Sequence, residues 1–206
     1  MIAPATLAAL RAATATERVL STPEELVVYG YDGAFVESRP DAVVSPLTAA
    51  EVSRVLALAN RERIPVSPRG AGTGLAGGSV PAQGGIALNM ALMNRIVEIS
   101  PQDMCVVVQP GVVTGVLQAE VEKRGLFYPP DPASLNQCTI GGNIGTSAGG
   151  PRGLKYGTTK DYVLGLEVVL ANGDILRTGG RAIKNVTGYN LTQLFVGSEG
   201  TLGVVT

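Results

Sequence analysis

The stretch Ser67–Val80 reads Ser-Pro-Arg-Gly-Ala-Gly-Thr-Gly-Leu-Ala-Gly-Gly-Ser-Val, and its close-set glycines decide which fold this chain can adopt. Residues 72–77 match the pattern G-x-G-x-x-G, which in a Rossmann fold opens the helix on whose N-terminus a pyrophosphate rests. Here the sequence Ser79-Val-Pro-Ala-Gln-Gly-Gly85 follows, and it cannot continue a helix. No Gly-Lys-Ser/Thr follows either. The stretch is therefore neither a Rossmann turn nor a Walker loop.

The spacing of Gly70, Gly72 and Gly74 suits a different kind of phosphate site. Alternating glycines can turn consecutive backbone N–H groups towards one anion, and the missing side chains let a phosphate approach the backbone closely. Arg69 could add charge-assisted hydrogen bonds to the same anion. The alternative is a mobile linker, but so many glycines between two apolar strands favour phosphate binding.

Two later stretches repeat this combination of glycines and polar side chains. Residues Cys138–Gly150 read Cys-Thr-Ile-Gly-Gly-Asn-Ile-Gly-Thr-Ser-Ala-Gly-Gly, and residues 197–200 read Gly-Ser-Glu-Gly. Their hydroxyl and amide groups can hydrogen-bond a polar ligand, whereas their glycines give the ligand room. Three such stretches, far apart in the sequence, predict one long ligand that is contacted at several points.

Hydrophobic patterns predict an α+β chain in which a parallel part is followed by an antiparallel part. Thr48-Ala-Ala-Glu51 is a capping box that starts a helix, so residues 42–67 form a parallel strand–helix–strand unit with a right-handed crossover. The other predicted helices cover residues 3–15, a short segment from Pro23, Thr114–Lys123 and Leu191–Val196, and the other predicted strands cover Gly85–Asn89, Arg95–Ile99, Met104–Gln109 and Thr201–Thr206. We expect two lobes that share a groove. A single α+β domain with an irregular loop is the alternative.

Two segments of the second half carry strong local signals. Asn172-Gly173 predicts a type I′ turn between the strands Val163–Ala171 and Asp174–Arg177, because both residues tolerate positive φ. The segment Tyr128–Gly157 is rich in proline and glycine, and we expect little regular structure in it.

The composition narrows the chemistry. The chain has 206 residues, 45% of them hydrophobic, and a net charge of −1, so it has no electrostatic footprint for nucleic acid. It contains no histidine, which excludes histidine-based catalysis, histidine metal ligation and histidyl-linked cofactors, and its two cysteines and scattered carboxylates make a poor zinc site. No apolar run approaches the ~20 residues of a membrane span, and the low cysteine count indicates a reducing, cytoplasmic setting. An enzyme of this composition would need a bound cofactor for the difficult chemical step.

Four motifs, in this order, give the sequence a resemblance to a known family. They are Pro68–Gly78, Pro129-Pro-Asp-Pro132, Ala148–Gly157 and Phe195–Gly203. They resemble the FAD-binding domain of the vanillyl-alcohol oxidase/p-cresol methylhydroxylase flavoproteins, in the branch of the glycolate oxidase FAD-binding subunit and the D-lactate and D-2-hydroxyglutarate dehydrogenases. The resemblance implies a two-lobed FAD-binding domain over residues 38–206. A small parallel β/α lobe would cover about 38–95, and a larger, mainly antiparallel sheet with flanking helices about 96–206. Residues 1–37 would be an N-terminal helical segment, and the resemblance implies that the family's C-terminal substrate domain would be absent from these 206 residues.

The same resemblance implies which residues bind FAD. In that family the first glycine stretch holds the pyrophosphate, which gives this role to Arg69–Gly74. The complete set carried over by position is Pro68, Arg69, Gly70, Ala71, Gly72, Thr73, Gly74, Leu75, Pro132, Ser134, Thr139, Gly141, Gly142, Asn143, Thr146, Ser147, Gly149, Glu199, Gly200 and Val204. Its members between 132 and 149 would line the ribityl chain and the ring, and those between 199 and 204 would contact the adenine end or its nearby backbone. Family members with covalent FAD use a histidine in the first stretch, which this chain lacks, so its FAD would be non-covalent.

A member of this branch would be the FAD-binding portion of an oxidoreductase that takes a hydride from a 2-hydroxy acid such as glycolate or D-lactate. The catalytic residues stay unknown, because the family's substrate domain carries the base and a metal site. We therefore expect the 206 residues alone to be inactive. The implied partners are FAD, the hydroxy acid and other oxidase subunits, through which a cytoplasmic protein could attach to the membrane surface.

Two other functions stay open at this point. One is a non-catalytic FAD- or nucleotide-binding module or subunit. The other is an enzyme resembling the UDP-N-acetylenolpyruvoylglucosamine reductases. The second is less favoured, because those reductases have a first loop of the Gly-x-Gly-Ser-Asn type and lack the stretch found here as Ala148-Gly-Gly-Pro151.

Overall fold

The computed structural model describes residues 2–34 and 36–206 of the chain. Its helices α1–α7 cover Pro4–Ala13, Pro23–Leu26, Ala49–Glu62, Thr114–Glu122, Ile140–Thr146, Gly153–Tyr156 and Leu191–Phe195. Its strands β1–β9 cover Val19–Leu20, Ala42–Val44, Val66–Arg69, Ile86–Asn89, Ile96–Ser100, Cys105–Val108, Gly165–Val169, Ile175–Gly179 and Val204–Val205. Short 3₁₀ segments lie at Thr16–Arg18, Val27–Tyr29, Met90–Leu92 and Thr159–Tyr162.

A four-stranded sheet in the order β1-β2-β4-β3 forms the first half of the fold, with β4 parallel to both β2 and β3. The central strands β2 and β4 are buried, and residues 42–44 and 86–88 are 0% exposed. Helix α3 begins after Thr48, whose Oγ1 accepts a hydrogen bond from Glu51 N, and Val52 and Val55 pack into the same core. The predicted parallel strand–helix–strand unit is therefore present.

Strand β4 lies between β2 and β3, although the sequence pattern groups it with the strands that follow it. Residues 86–88 are apolar and fully buried, as expected of a strand covered on both faces of a parallel sheet. A parallel connection through a helix is long enough to pass over one strand, so β2 and β3 need not be neighbours.

The second half of the fold is antiparallel. Strands β5 and β6 form one hairpin, and β8, β7 and β9 form a three-stranded sheet in that order. Leu117 of α4, Ile140 of α5, Val168 of β7 and Phe195 of α7 meet in a second core. The α+β class is confirmed, with the antiparallel part divided between two sheets.

The segment 128–157 is more regular than predicted, because it contains the helices α5 and α6. The sequence of α5, Ile-Gly-Gly-Asn-Ile-Gly-Thr, contains three glycines, which have a low intrinsic helix propensity. Contacts compensate for this: Thr139 Oγ1 accepts from Gly142 N, and Gly141 N donates to the carbonyl oxygen of Pro110 at 2.7 Å.

The predicted type I′ turn is wrong. Gly173 N donates to the carbonyl oxygen of Leu170, so residues 171 and 172 are the central residues of the turn, and Gly173 follows with φ +93°. Asn172 is not among the described residues with positive φ, which a type I′ turn would require of it. A turn followed by a left-handed glycine is the other common hairpin connection, and the same two residues favour it as well.

The N-terminal residues belong to the first core. Leu10 of α1 is 0% exposed in that core, and β1 is antiparallel to β2. Arg18 and Glu51, both largely buried, form a two-pronged ion pair with N–O distances of 2.5 and 2.9 Å. Hydrogen bonding to Arg18 lowers the pKa of the Glu51 carboxyl below its ordinary value. The division of the chain at residue 38, and the lobe limits, stay predictions.

Candidate functional site

The three glycine stretches of the sequence meet at one place in the fold. A Cβ built at Gly70 would overlap Thr139 Oγ1, which brings the first stretch against the second. A Cβ built at Gly200 would lie 2.8 Å from Pro68 Cγ, which brings the third stretch against the first. Glu199 N donates to the carbonyl oxygen of Gly145 at 2.8 Å, which ties the third stretch to the second.

A cavity of about 810 Å³ lies where these stretches converge. This volume is in the range of cofactor and ligand pockets, about 300–1,000 Å³. The residues predicted from the sequence that line it are Pro68, Arg69, Gly70, Ala71, Gly72, Thr73, Gly74, Leu75, Pro132, Ser134, Thr139, Gly141, Gly142, Asn143, Thr146, Glu199, Gly200 and Val204. Ser147 and Gly149 are not among the lining residues. Ser147 Oγ instead hydrogen-bonds Thr158 Oγ1 at 3.1 Å.

The cavity has 32 lining residues, and 14 of them (32 − 18) were not predicted from the sequence. They are Asp32, Ala76, Gly78, Ser79, Met90, Pro110, Ala133, Cys138, Gly145, Ala148, Phe195, Ser198, Gly203 and Val205. Nine of them lie inside the motifs and glycine stretches quoted above, and Ala133 and Val205 each directly follow a predicted residue, so counting whole motifs and one position beyond them would have found these eleven. Asp32, Met90 and Pro110 come from other parts of the chain, and no motif includes any of them.

The first glycine stretch differs from the other two in its backbone hydrogen bonds. From Ala71 to Ser79, no backbone N–H donates to an acceptor anywhere in residues 2–34 and 36–206. The other two stretches have protein acceptors for N–H groups of this kind: Gly142 N donates to Thr139 Oγ1, and Gly197 N donates to the carbonyl oxygen of Ile144. Backbone N–H groups are obligatory donors, so the first stretch presents a row of donors that need acceptors from a ligand or from water.

The Arg69 side chain lies behind the first stretch. It is 7% exposed, and its Nη1 donates to the carbonyl oxygen of Tyr31 at 2.7 Å and lies 3.5 Å from Ser79 Oγ. A Cβ built at Gly72 would overlap the Arg69 guanidinium, so the side chain fills the space beneath the loop. Burial lowers the pKa of Arg69, and the nearby Asp32 carboxylate opposes that effect.

Asp32 joins the N-terminal segment to this arrangement. Its carboxylate accepts from Ser79 Oγ at 3.3 Å and from Ala34 N at 2.8 Å, and Gly33 N donates to the carbonyl oxygen of Gly74 at 2.8 Å. The geometry therefore makes Arg69 and Asp32 a brace that holds the first stretch in place.

Three charged side chains, Asp32, Arg69 and Glu199, line the cavity. Glu199 has φ +51°, and its Oε2 would lie 2.6 Å from a Cβ at Gly78, so it reaches the end of the first stretch. Within the described residues there is no group of three or more His, Cys, Asp or Glu side chains placed to hold a metal ion. No helix of residues 2–34 and 36–206 is long and apolar enough to cross a membrane.

The back of the cavity is a hydrogen-bonded group of buried residues. Cys138 and Asn143 line the cavity and are 4% and 3% exposed, and Thr114 behind them is 0% exposed. Asn143 Nδ2 donates to Thr114 Oγ1 at 2.7 Å, and Cys138 Sγ lies 3.4 Å from the same oxygen. Cys138 is thus a buried, hydrogen-bonded thiol.

Comparison with known families gives one match over most of this region. The sequence model described as an FAD-binding domain matches residues 40–179, which include the first two glycine stretches.

Among curated proteins, glycolate oxidase subunit GlcD of Bacillus subtilis is 56% identical over 181 residues, which are 87% of this chain and 38% of that protein. D-lactate dehydrogenase of Anaerostipes hadrus is 42% identical over 185 residues, 90% of this chain and 38% of that protein. D-2-hydroxyglutarate dehydrogenase of Stutzerimonas stutzeri is 41% identical over 206 residues, 100% of this chain and 44% of that protein. The chain thus spans 38–44% of the length of these relatives.

Among solved structures, p-cresol methylhydroxylase with substrate bound has a TM-score of 0.84 at 28% identity, covering 98% of this chain and 41% of that chain. Alkyldihydroxyacetonephosphate synthase has a TM-score of 0.87 at 24% identity, covering 100% of this chain and 39% of that chain, and at this identity it supports the fold alone.

Proposed function

Because this chain belongs to the family of FAD-binding domains of the vanillyl-alcohol oxidase/p-cresol methylhydroxylase flavoproteins, we propose that it is the cofactor-binding part of an oxidoreductase that oxidises a 2-hydroxy acid. The substrate class rests on the names of three relatives: glycolate, D-lactate and D-2-hydroxyglutarate each carry a hydroxyl group next to a carboxylate. One relative is named as a subunit, so we extend the proposal to partner subunits. The low cysteine count is what supports a cytoplasmic location in this proposal.

The unpaired backbone N–H groups from Ala71 to Ser79 are the observation that carries the proposal for the cofactor. Donors without protein partners along a glycine-rich loop are the ordinary chemistry of a phosphate site. We assign the pyrophosphate of FAD to this row. The guanidinium of Arg69 is bound to the carbonyl oxygen of Tyr31, so we assign Arg69 to the support of the row.

The rest of the cavity suits the remainder of a dinucleotide. The cavity is large enough, it extends from the first stretch to the second and third, and the residues around it are mainly small or apolar. The residues we propose to hold FAD are therefore the predicted ones that line the cavity, apart from the supporting Arg69, with Gly78, Ser79 and Ala133 beside them. The binding is non-covalent in this proposal, because the chain has no histidine and Cys138 is engaged with Thr114.

When bound, FAD supplies a two-electron acceptor for the hydride on the α-carbon of the hydroxy acid. The residues of this chain would bind the cofactor, orient it and exclude water from one of its sides. Of the acidic groups in the cavity, Asp32 already accepts hydrogen bonds from Ser79 and Ala34, and Glu199 lies at the end of the first stretch. We therefore assign removal of the substrate hydroxyl proton to a group outside this cavity.

Ligand titration tests the proposal for the cofactor. The purified chain is titrated calorimetrically with FAD, ADP and riboflavin. If the row of N–H groups binds pyrophosphate, FAD binds best, ADP competes with FAD, and riboflavin binds at least about tenfold more weakly than FAD. Equal affinity for FAD and riboflavin, or no binding of FAD, would contradict the proposal.

Anaerobic reduction tests the proposal for the substrate, using the FAD-loaded protein expressed from its complete coding sequence. Glycolate, D-lactate and D-2-hydroxyglutarate are compared with p-cresol as the matched control, because a phenol is the substrate type named for one structural neighbour. Bleaching of the flavin bands by a hydroxy acid and not by p-cresol is expected. The opposite pattern would assign the protein to the phenol-oxidising members of the family.

A further inference from the structure

Thr114 uses its whole hydrogen-bonding capacity in the buried group behind the cavity. Its hydroxyl donates to the carbonyl oxygen of Cys138 at 3.2 Å, accepts from Asn143 Nδ2 at 2.7 Å, and lies 3.4 Å from Cys138 Sγ. A hydroxyl has one proton and two lone pairs, so all three sites are occupied. Because the only proton of Thr114 Oγ1 goes to Cys138, the amide of Asn143 must present its NH₂ group, and not its oxygen, to Thr114.

This fixes the direction of the other half of the amide. Asn143 is 3% exposed and lines the cavity, yet its Oδ1 has no hydrogen-bond partner in residues 2–34 and 36–206. It is not sealed in the interior either, since Arg11 Nε is the one buried side-chain atom of the described residues that lacks a partner. The Oδ1 atom is therefore an acceptor that opens onto the cavity from an otherwise buried residue.

We propose that Asn143 Oδ1 accepts a hydrogen bond from an N–H or O–H group of the bound cofactor, and that Thr114 is the positioning residue that holds the amide in this orientation. The inference rests on the proposed binding of FAD in this cavity. A buried acceptor of fixed direction selects a ligand that brings a donor to it, since a ligand without the donor leaves the oxygen without a partner. The donor of FAD can be the imide N–H of the ring, a ribityl hydroxyl or a group of the adenosine half, and the test separates these sources.

The first arm of the experiment uses Asn143→Leu, which has nearly the same shape and no acceptor. Dissociation constants for FAD, ADP and N3-methyl-FAD are measured for this variant and for the unsubstituted protein. We expect FAD binding to weaken about 10–100-fold in Asn143→Leu. A loss with FAD alone identifies the ring imide N–H as the donor. A loss with FAD and N3-methyl-FAD identifies a ribityl hydroxyl, and a loss with ADP as well identifies the adenosine half.

The second arm tests the positioning role. Thr114→Val removes the hydroxyl at nearly constant shape, and Thr114→Ser retains it as the matched control. We expect Thr114→Val to weaken FAD binding about 3–10-fold. It should also reduce the ratio between the affinity for FAD and that for whichever of N3-methyl-FAD and ADP the unsubstituted protein binds more weakly. Thr114→Ser should retain the affinity for FAD and this ratio. A purely structural role would lower the melting temperature without changing that discrimination. Should Thr114→Val fail to fold, Thr114→Ala takes its place.

The outcomes separate this inference from the proposed function. If the unsubstituted protein does not bind FAD, the proposed function fails and takes the inference with it. If it binds FAD and Asn143→Leu binds FAD equally well, the assignment of the acceptor is overturned and the proposed function stands. Unchanged affinity and discrimination in a folded Thr114→Val or Thr114→Ala protein would overturn the positioning role alone.

Discussion

Replacing Gly72 by alanine should displace the Arg69 side chain beneath the first glycine stretch and so destabilise the protein. Gly72 has φ +69°, and a Cβ there would overlap the Arg69 guanidinium. The backbone conformation alone costs a residue with a Cβ about 1–2 kcal/mol. Moving the guanidinium breaks its charged hydrogen bond to the carbonyl oxygen of Tyr31, which contributes about 1.5–3 kcal/mol. Because part of this contact can relax, we expect the free energy of unfolding to fall by about 2–4 kcal/mol.

Gly74→Ala is the matched control from the same loop. A Cβ at Gly74 meets nothing within 4 Å, and Gly74 is not among the described glycines with positive φ. We expect its free energy of unfolding to stay within about 1 kcal/mol of the unsubstituted value. Urea denaturation of the ligand-free proteins, followed by circular dichroism because the chain has no tryptophan, measures both variants. For a chain of this size the expected loss in Gly72→Ala corresponds to a melting temperature lower by roughly 5–15 °C.

The Arg69→Met background separates the two causes. Without the guanidinium, the cost of Gly72→Ala should fall to the backbone part, about 1–2 kcal/mol. If Gly72→Ala and Gly74→Ala unfold at the same urea concentration, the Arg69 side chain does not stabilise the first stretch from beneath. An unchanged cost in the Arg69→Met background would show that the guanidinium is not what the new Cβ displaces.

Four further predictions follow from the structure. Burial raises the pKa of Tyr128 from 10.0 to about 12, so folding favours the neutral phenol. Its contribution to the free energy of unfolding is fully present below about pH 10, and about 2–3 kcal/mol is lost as the pH rises to about 12. Urea unfolding of Tyr128→Phe should not show this loss. Gly141→Ala should lower the free energy of unfolding by about 1–3 kcal/mol, because its Cβ would lie 2.5 Å from Pro110 Cβ, whereas Gly142→Ala, with its nearest contact at 3.3 Å, should change it by less than about 1 kcal/mol. Acid precipitation of the FAD-loaded protein should leave a colourless pellet and a yellow supernatant, and a yellow pellet would indicate a covalent bond. The affinity for FAD should fall less than about fivefold between about 50 and about 500 mM NaCl, because backbone dipoles would meet the phosphates, and Arg69, the one cation among the described residues of the cavity lining, is hydrogen-bonded to Tyr31. A steep salt dependence would show that Arg69 contacts the phosphates.

The sequence predicted the elements with strong local signals. The cap at Thr48, the helix from Thr114 and the glycine stretches all depend on residues within a few positions of one another, and the structure contains each of them. Where two local solutions use the same residues, the sequence could not choose between them. The turn at Gly173 is such a case, because Asn-Gly suits both a two-residue loop and a longer one with a left-handed glycine.

Long-range contacts account for what the sequence did not predict. Helix α5 forms although its glycines disfavour it, because Gly141 packs against Pro110, which lies 31 positions earlier (141 − 110). Asp32 reaches the cavity only because the N-terminal segment crosses the first glycine stretch, where Gly33 N meets the carbonyl oxygen of Gly74. No periodicity within a short window reports such pairs.

The glycines of the site also show why a count of glycines is weaker support for a phosphate site than the hydrogen bonds of the backbone. Gly70 and Gly200 have no room for a Cβ because other parts of the chain occupy it, so these glycines permit the three stretches to touch. Gly74 and Gly77 face open space, and a Cβ at either position would contact no atom of the described protein within 4 Å. Both kinds look alike in the sequence. What distinguishes the first stretch is that its N–H groups from Ala71 to Ser79 have no acceptor within the described chain, whereas the glycine-rich second stretch uses its N–H groups at Gly141 and Gly142 to build a helix. A ligand with several acceptor oxygens is what such a row of donors lacks, and a pyrophosphate supplies them.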